Sequence, residues 1–147
     1  MSAAGNGYTV LVVDDNPELL NLISESLIML GQYTVVTAVN GVEGLEKFYE
    51  VHPDCMIIDV KMPGLDGYQL VRALRGDPES ADTPLVILTA MAQDKDRFAG
   101  LASGVDQYLL KPIKPQVLVA AIQRAVKITA ETRSQALQRL AESEMPR

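Results

Sequence analysis

A single cysteine, Cys55, stands among the 147 residues, so an internal disulfide is excluded and a reducing compartment fits. Basic residues are outnumbered. Lys and Arg total 13 against 19 Asp and Glu, for a formal charge of −6, and a field of that sign repels nucleic acid, so no direct DNA or RNA contact is expected. No apolar run reaches eighteen residues, and no charged leader followed by an apolar stretch opens the chain. Neither a membrane span nor a signal peptide is expected, and the expected location is cytoplasmic. G-x-x-x-x-G-K-[ST] and G-x-G-x-x-G are both missing, which disfavours the common mononucleotide and dinucleotide sites. The one histidine, His52, sits between Val51 and Pro53 and reads as a surface residue rather than a base.

What is present is the balance of a soluble globular protein, 48% hydrophobic and 22% charged, at a length that suits one core. Five short apolar runs, residues 10–13, 34–38, 55–58, 85–88 and 108–110, are rich in Val, Ile and Leu and mostly do not alternate, as in strands covered on both faces. Helical patterns separate them. Asn16 can cap a helix with Pro17 at its first position and Leu19, Leu20, Ile23, Leu27 and Leu30 on one side, ending near Gly31. Segments 41–50, 67–75 and 94–102 are periodic, and Pro115 opens a last helix carrying Leu118, Ile122 and Ala125. Alternation of strand and helix predicts an α/β fold, a doubly wound five-stranded parallel sheet with right-handed crossovers and helices on both faces.

The chemically useful residues fall just past the carboxyl ends of four runs: Asp14 and Asp15, Asp59, Thr89, and Lys111. In a sheet of this kind ligands bind outside those ends, near the point where strand order reverses, so one site is expected. Each residue also has a plainer role. Asp-Asp-Asn-Pro makes a turn and helix cap, Asp59 and Lys111 are ordinary strand-end residues, and Thr89 a strand or cap residue. Together, however, three carboxylates repel by about 4 kcal/mol per pair at 4 Å and an effective dielectric of 20. A hard divalent cation such as Mg²⁺, held by carboxylates, relieves this. Lys111 adds a second positive charge, and the Thr89 hydroxyl could bond a phosphoryl oxygen. A carboxylate can be a covalent nucleophile, and phosphoryl transfer needs positioning and charge neutralisation more than acid–base groups. Asp59 is the nucleophile this reading selects.

Asp14-Asp15, Asp59-x-x-Met62-Pro63-Gly64-x-Asp66-Gly67, Leu88-Thr89-Ala90 and Gly104-Val105-Asp106-x-Tyr108-Leu109-x-Lys111-Pro112 occur in this order and spacing. They resemble the receiver domain of two-component response regulators, and the chemotaxis-regulator-like members in particular. The resemblance implies the flavodoxin-like strand order 2-1-3-4-5 and a phosphorylation-dependent signalling switch. Asp59 would accept phosphate from a sensor histidine kinase or histidine phosphotransfer protein. Asp14, Asp15, Asp59 and the backbone carbonyl of Lys61 would hold Mg²⁺, the one cofactor expected. Lys111 would contact the phosphoryl group, Thr89 would shift toward it, and Tyr108 would rotate inward as the switch aromatic; its plainer role is to cover the core. A cis bond at Lys111-Pro112 is also implied. Lys61 and Met91 stand at positions that vary in the family and influence the lifetime of the phosphate.

Residues 1–8 read as a flexible amino terminus and 9–126 as the receiver domain. Residues 127–147, polar and free of Gly and of Pro up to Met145, read as a helical extension or linker. The output expected is a downstream protein partner or an output domain, with a partner surface spanning segments 94–102, 107–110 and 115–125. Residues 115–140 offer a stripe on which a second copy could pair. The chain is expected to be a switch rather than an enzyme. One alternative is a receiver cut from a larger regulator whose output domain is missing. Another is a phosphatase of the haloacid-dehalogenase type, which places a second Asp where Lys61 stands here.

Overall fold

Five parallel strands form one sheet in the order β2-β1-β3-β4-β5. The structure, a computed structural model, describes residues 7–60, 64–90 and 105–144. In chain order these are β1 (Thr9–Val13), α1 (Pro17–Ser26) continued by a π-helical turn (Leu27–Gly31), β2 (Thr34–Ala38), α2 (Gly41–Val51), β3 (Cys55–Asp59), α3 (Gly67–Gly76), β4 (Leu85–Thr89), β5 (Gln107–Leu110) and α4 (Pro115–Glu144). The helical segment expected at 94–102 lies outside the described residues. No described helix is long and apolar enough to cross a membrane.

The strands sort by position. Central β3 and β4 are buried at every residue, whereas the edges β2 and β5 are only partly covered. Apolar runs without alternation therefore mark strands with a helix layer on each side. On one face Leu11, Val13, Ile58 and Ile87 pack with Phe48 of α2 and Leu70 and Leu74 of α3. On the other, Val10, Val12, Ile57 and Leu88 meet Leu20 and Ile23 of α1 and Leu118 and Ile122 of α4. Each such side chain contributes about 1.5–3 kcal/mol on leaving water.

Local chemistry sets where the helices begin. The Asn16 side chain accepts from the backbone N–H groups of Glu18 and Leu19 at 3.0 and 3.3 Å, with Pro17 in the first turn. Asn40 accepts from Glu43 N at 2.8 Å, and Asp66 and Gln69 close a reciprocal capping box. The end of α1 departs from the regular pattern. Leu30, expected on the buried side, is 51% exposed, and Gly31 is buried instead. A π turn closes i→i+5 bonds and takes more residues per revolution, so the inward position after Leu27 moves to residue 31. There the Tyr33 ring lies so close that a Cβ on residue 31 would stand 2.3 Å from it.

Candidate functional site

Asp14 follows β1, Asp59 ends β3, Thr89 ends β4, and Lys111 follows β5. The sheet order puts β1 beside β3 and reverses direction there, so the crevice opens above those two strands. One oxygen from each of Asp14, Asp15 and Asp59 can be chosen so that the three lie within 4.8 Å of one another. Asp14 and Asp59 are buried, at 2% and 7% exposure, while Asp15 faces solvent.

Each group is held. Asp14 Oδ1 accepts from Asn16 N at 2.9 Å, so the residue that caps α1 also orients the carboxylate. Lys111 Nζ donates to Asp59 Oδ1 at 2.8 Å and approaches Asp14 Oδ2 at 3.5 Å. Its own backbone N–H donates to Thr89 O at 2.7 Å, and the next peptide bond, Lys111–Pro112, is cis. Gly67 lets α3 start against the end of β3. A Cβ there would lie 2.7 Å from Asp59 O and from Val60 Cα, closer than real Cβ contacts occur.

Burial pushes the Asp59 carboxyl above its ordinary value, an effect the charges of Asp14 and Asp15 reinforce and the bond from Lys111 opposes. Burial alone would lower Lys111, but its bond to Asp59 and the charges of Asp59 and Asp14 outweigh that and raise it. One ammonium thus pairs with two of the three clustered carboxylates. The donor set is all hard oxygen with a net negative charge, which suits a divalent ion of the Mg²⁺ type.

Thr89 is 2% exposed, and Tyr108 is half-buried against the cluster that includes Leu85 and Ile87. Ile87 pairs with Tyr108 and Thr89 with Leu110, which places Thr89 and Tyr108 on the same face of the sheet, two residues apart in register. Lys111, three residues after Tyr108, lies on the other face. Beside it an apolar groove of about 500 Å³ runs between α1 and the start of α4, lined by Leu19, Leu22, Ile23, Leu88 and Ile113. Lys61, Met62, Pro63, Met91 and Gly104 lie outside the described residues.

One linkage was not legible in the sequence. Arg75, in the last turn of α3, donates to the carbonyls of Ala81 and Thr83 at 2.9 and 2.8 Å and to Asp106 Oδ2 at 3.2 Å. The same Asp106 oxygen accepts from Leu85 N at 2.8 Å, which ties the approach to β5 to the start of β4. Desolvation lowers the Arg75 guanidinium and the Asp106 carboxylate opposes that. The signal available was Arg75 at a helix end and Asp106 before a strand, 31 residues apart with no shared pattern.

Comparison with known proteins gives the same arrangement. The family model of the response regulator receiver domain matches residues 10–123. "Probable transcriptional regulator ycf27" of Guillardia theta is 40% identical over 120 residues, covering 82% of this chain and 46% of that protein. "DNA-binding dual master transcriptional regulator RpaA" of Synechocystis is 35% identical, covering 82% and 49%. The chain therefore spans about half the length of these curated relatives. Among solved structures, chemotaxis protein CheY4 of Vibrio cholerae superposes with a TM-score of 0.73 at 34% identity, covering 80% of this chain and 98% of that one. A receiver domain protein from Clostridium thermocellum does so with 0.74 at 30% identity, covering 88% and 98%.

Proposed function

This chain belongs to the response regulator receiver family of two-component signalling, and from that premise we propose that Asp59 is its phosphoacceptor and that Asp14, Asp15, Lys111 and Thr89 serve that one reaction. The observation that carries the reading is the buried Asp59 carboxylate, bonded by Lys111 and set among oxygens able to share a cation. In the transfer, a carboxylate oxygen of Asp59 bonds to phosphorus as the phosphorus–nitrogen bond to the donor's imidazole breaks, its electron pair staying on the imidazole. Asp14, Asp15 and Asp59, with the backbone carbonyl of Lys61 as the family resemblance implies, would hold Mg²⁺, which when bound would supply positive charge against the phosphoryl oxygens. Lys111 supplies a second charge from the β5 side and keeps Asp59 oriented in the meantime.

The phosphodonor is a phosphohistidine protein, a sensor kinase or a phosphotransfer protein. It comes in over the carboxyl end of the sheet, where the groove between α1 and α4 offers apolar surface next to Lys111. After transfer the Thr89 hydroxyl bonds the phosphoryl group and Tyr108 turns into the space beside it, which changes the surface of β5 and the first half of α4. The chemistry of the chain itself ends with making and losing this aspartyl phosphate. Output passes to a partner protein or output domain, as the greater length of the regulators it resembles suggests.

The test is incubation with acetyl phosphate and Mg²⁺ followed by intact-mass measurement. One phosphoryl group is expected to be added, chelation of Mg²⁺ to prevent it, and Asp59→Asn to abolish it. Full phosphate uptake by Asp59→Asn at the same rate would assign the nucleophile elsewhere.

A further inference from the structure

Strand β5 is held at both ends by charged side chains. At its carboxyl end Lys111 bonds Asp59 through Nζ and Thr89 O through its backbone N–H. At its amino end stands Asp106, one residue before the strand begins. The Asp106 backbone N–H donates to Leu85 O at 3.0 Å, and its Oδ2 accepts from Leu85 N at 2.8 Å and from Arg75 Nη2 at 3.2 Å.

Arg75 is itself fixed. Its Nη1 donates to the carbonyls of Ala81 and Thr83. The connection carrying them is closed by Ser80, fully buried, which donates from Oγ to Leu74 O at 2.6 Å and from N to Asp77 O at 3.0 Å. The guanidinium fork thus joins a well-bonded turn to Asp106. The Arg75 and Asp106 side chains are 21% and 22% exposed, so their attraction is screened less than that of a surface pair.

Strand β5 pairs with β4 alone, over four residues, whereas β3, which carries Asp59, is flanked by β1 and β4. Of the two partners in the Lys111–Asp59 bond, Lys111 is therefore the one whose place depends on a single ladder. From Asp106 to Lys111 is five residues, about 17 Å at 3.3 Å per residue, a lever with the clamp at one end and the ammonium at the other. We propose that Arg75 is a positioning residue for phosphoryl transfer to Asp59: by clamping Asp106 it fixes the amino end of β5, and with it the place of the Lys111 ammonium beside the acceptor. This rests on the reading of Asp59 as phosphoacceptor. Arg75 itself lies by the amino ends of the strands, opposite the crevice, and acts only through β5. Misplacing a catalytic group by about 1 Å can cost roughly a hundredfold, so a loosened clamp is felt as rate.

Two measurements on the full chain test this. In metal-free, unphosphorylated protein, Arg75→Met should speed amide hydrogen exchange at Lys111, bonded to Thr89 O, about tenfold more than at Asp14, bonded to Ala38 O across the same end of the sheet. An overall loss of stability would move both amides alike. With saturating acetyl phosphate and Mg²⁺, Arg75→Met should slow phosphate uptake about tenfold while Mg²⁺ affinity stays within about twofold, its carboxylates standing at the ends of β1 and β3. In a Lys111→Met background the same substitution should slow uptake by less than about twofold, since the group it positions is gone. If Arg75→Met does not fold, Asp106→Asn, which keeps an acceptor for Leu85 N and gives up the charge, should show the same pattern with effects of about threefold. Equal acceleration at the two amides, an unchanged rate, a parallel loss of Mg²⁺ affinity, or equal slowing in both backgrounds would each overturn the proposal. A wild type that takes up no phosphate would instead remove the Asp59 reading, and the exchange comparison, made without metal or phosphate, still decides whether Arg75 sets Lys111.

Discussion

Lys111 reaches Asp59 across an intervening strand: the two residues lie at the ends of β5 and β3, with β4 between them, and their side chains meet at 2.8 Å. Asp59 is thereby tied directly to the edge of the sheet, and this one bond decides how the metal-free site should respond to substitution.

Lys111→Met removes the ammonium that pairs with Asp14 and Asp59. Metal-free stability should fall by about 1–3 kcal/mol, since buried carboxylates lose their counter-charge. Mg²⁺ should recover more stability in this variant than in the wild type. Thermal denaturation with and without Mg²⁺ measures both; unchanged metal-free stability would mean that the ion pair contributes nothing to the fold.

Asp15→Ala should weaken Mg²⁺ binding at least tenfold while metal-free stability holds or rises. Asp15 is exposed, so its removal opens no cavity and relieves repulsion on two buried carboxylates. Calorimetric titration with Mg²⁺ and melting in EDTA check the two halves. A large metal-free loss would assign the acidic pair a structural role instead.

Arg75→Met should cost about 2–4 kcal/mol. It strips donors from the carbonyls of Ala81 and Thr83 and leaves Asp106 without its ion-pair partner. Urea unfolding gives the loss. A melting curve matching the wild type would show that water replaces the guanidinium without penalty.

The Tyr49 hydroxyl donates to Asp77, bridging α2 and the end of α3. That bond, with a further one from Glu79 N, holds Asp77 below the ordinary carboxylate range, and it holds Tyr49 above the ordinary phenol range. The Asp77 contribution is therefore present above the ordinary carboxylate value and lost as pH falls through its depressed one. The Tyr49 contribution is present below the ordinary phenol value and lost as pH rises through its elevated one. Tyr49→Phe should flatten the stability profile at both ends, read as urea midpoints against pH. Identical slopes in the two proteins would remove the bond from the account.

Much of this was legible because parallel α/β topology converts a one-dimensional pattern into a place. An apolar run followed by Asp or Lys predicts a strand end, and strand ends converge, so Asp14, Asp59, Thr89 and Lys111 could be assigned to one crevice before their distances were known. The strand order itself came from the family resemblance rather than from periodicity, which contains no information about neighbours. Features set by non-local packing or irregular turns stayed hidden. The π turn moved Leu30 off the buried side through a change in helical pitch that residue type does not announce. Arg75 and Asp106 find each other only once β4 and β5 are in register. The reach of α4 was half visible: a segment without breakers predicts helix, but among the described side chains the last buried one is Ala125, where contact with the sheet ends.

β5 is the shortest strand, with four residues, and lies at an edge of the sheet, hydrogen-bonded to β4 alone. Displacing it disturbs a single ladder, where displacing β1 or β3 would disturb two. Lys111 thus harnesses the carboxylate cluster to the shortest strand, at an edge of the sheet. A change of charge at Asp59 meets the least mechanical resistance along that line, and the stiff central strands can stay still while the edge does the moving.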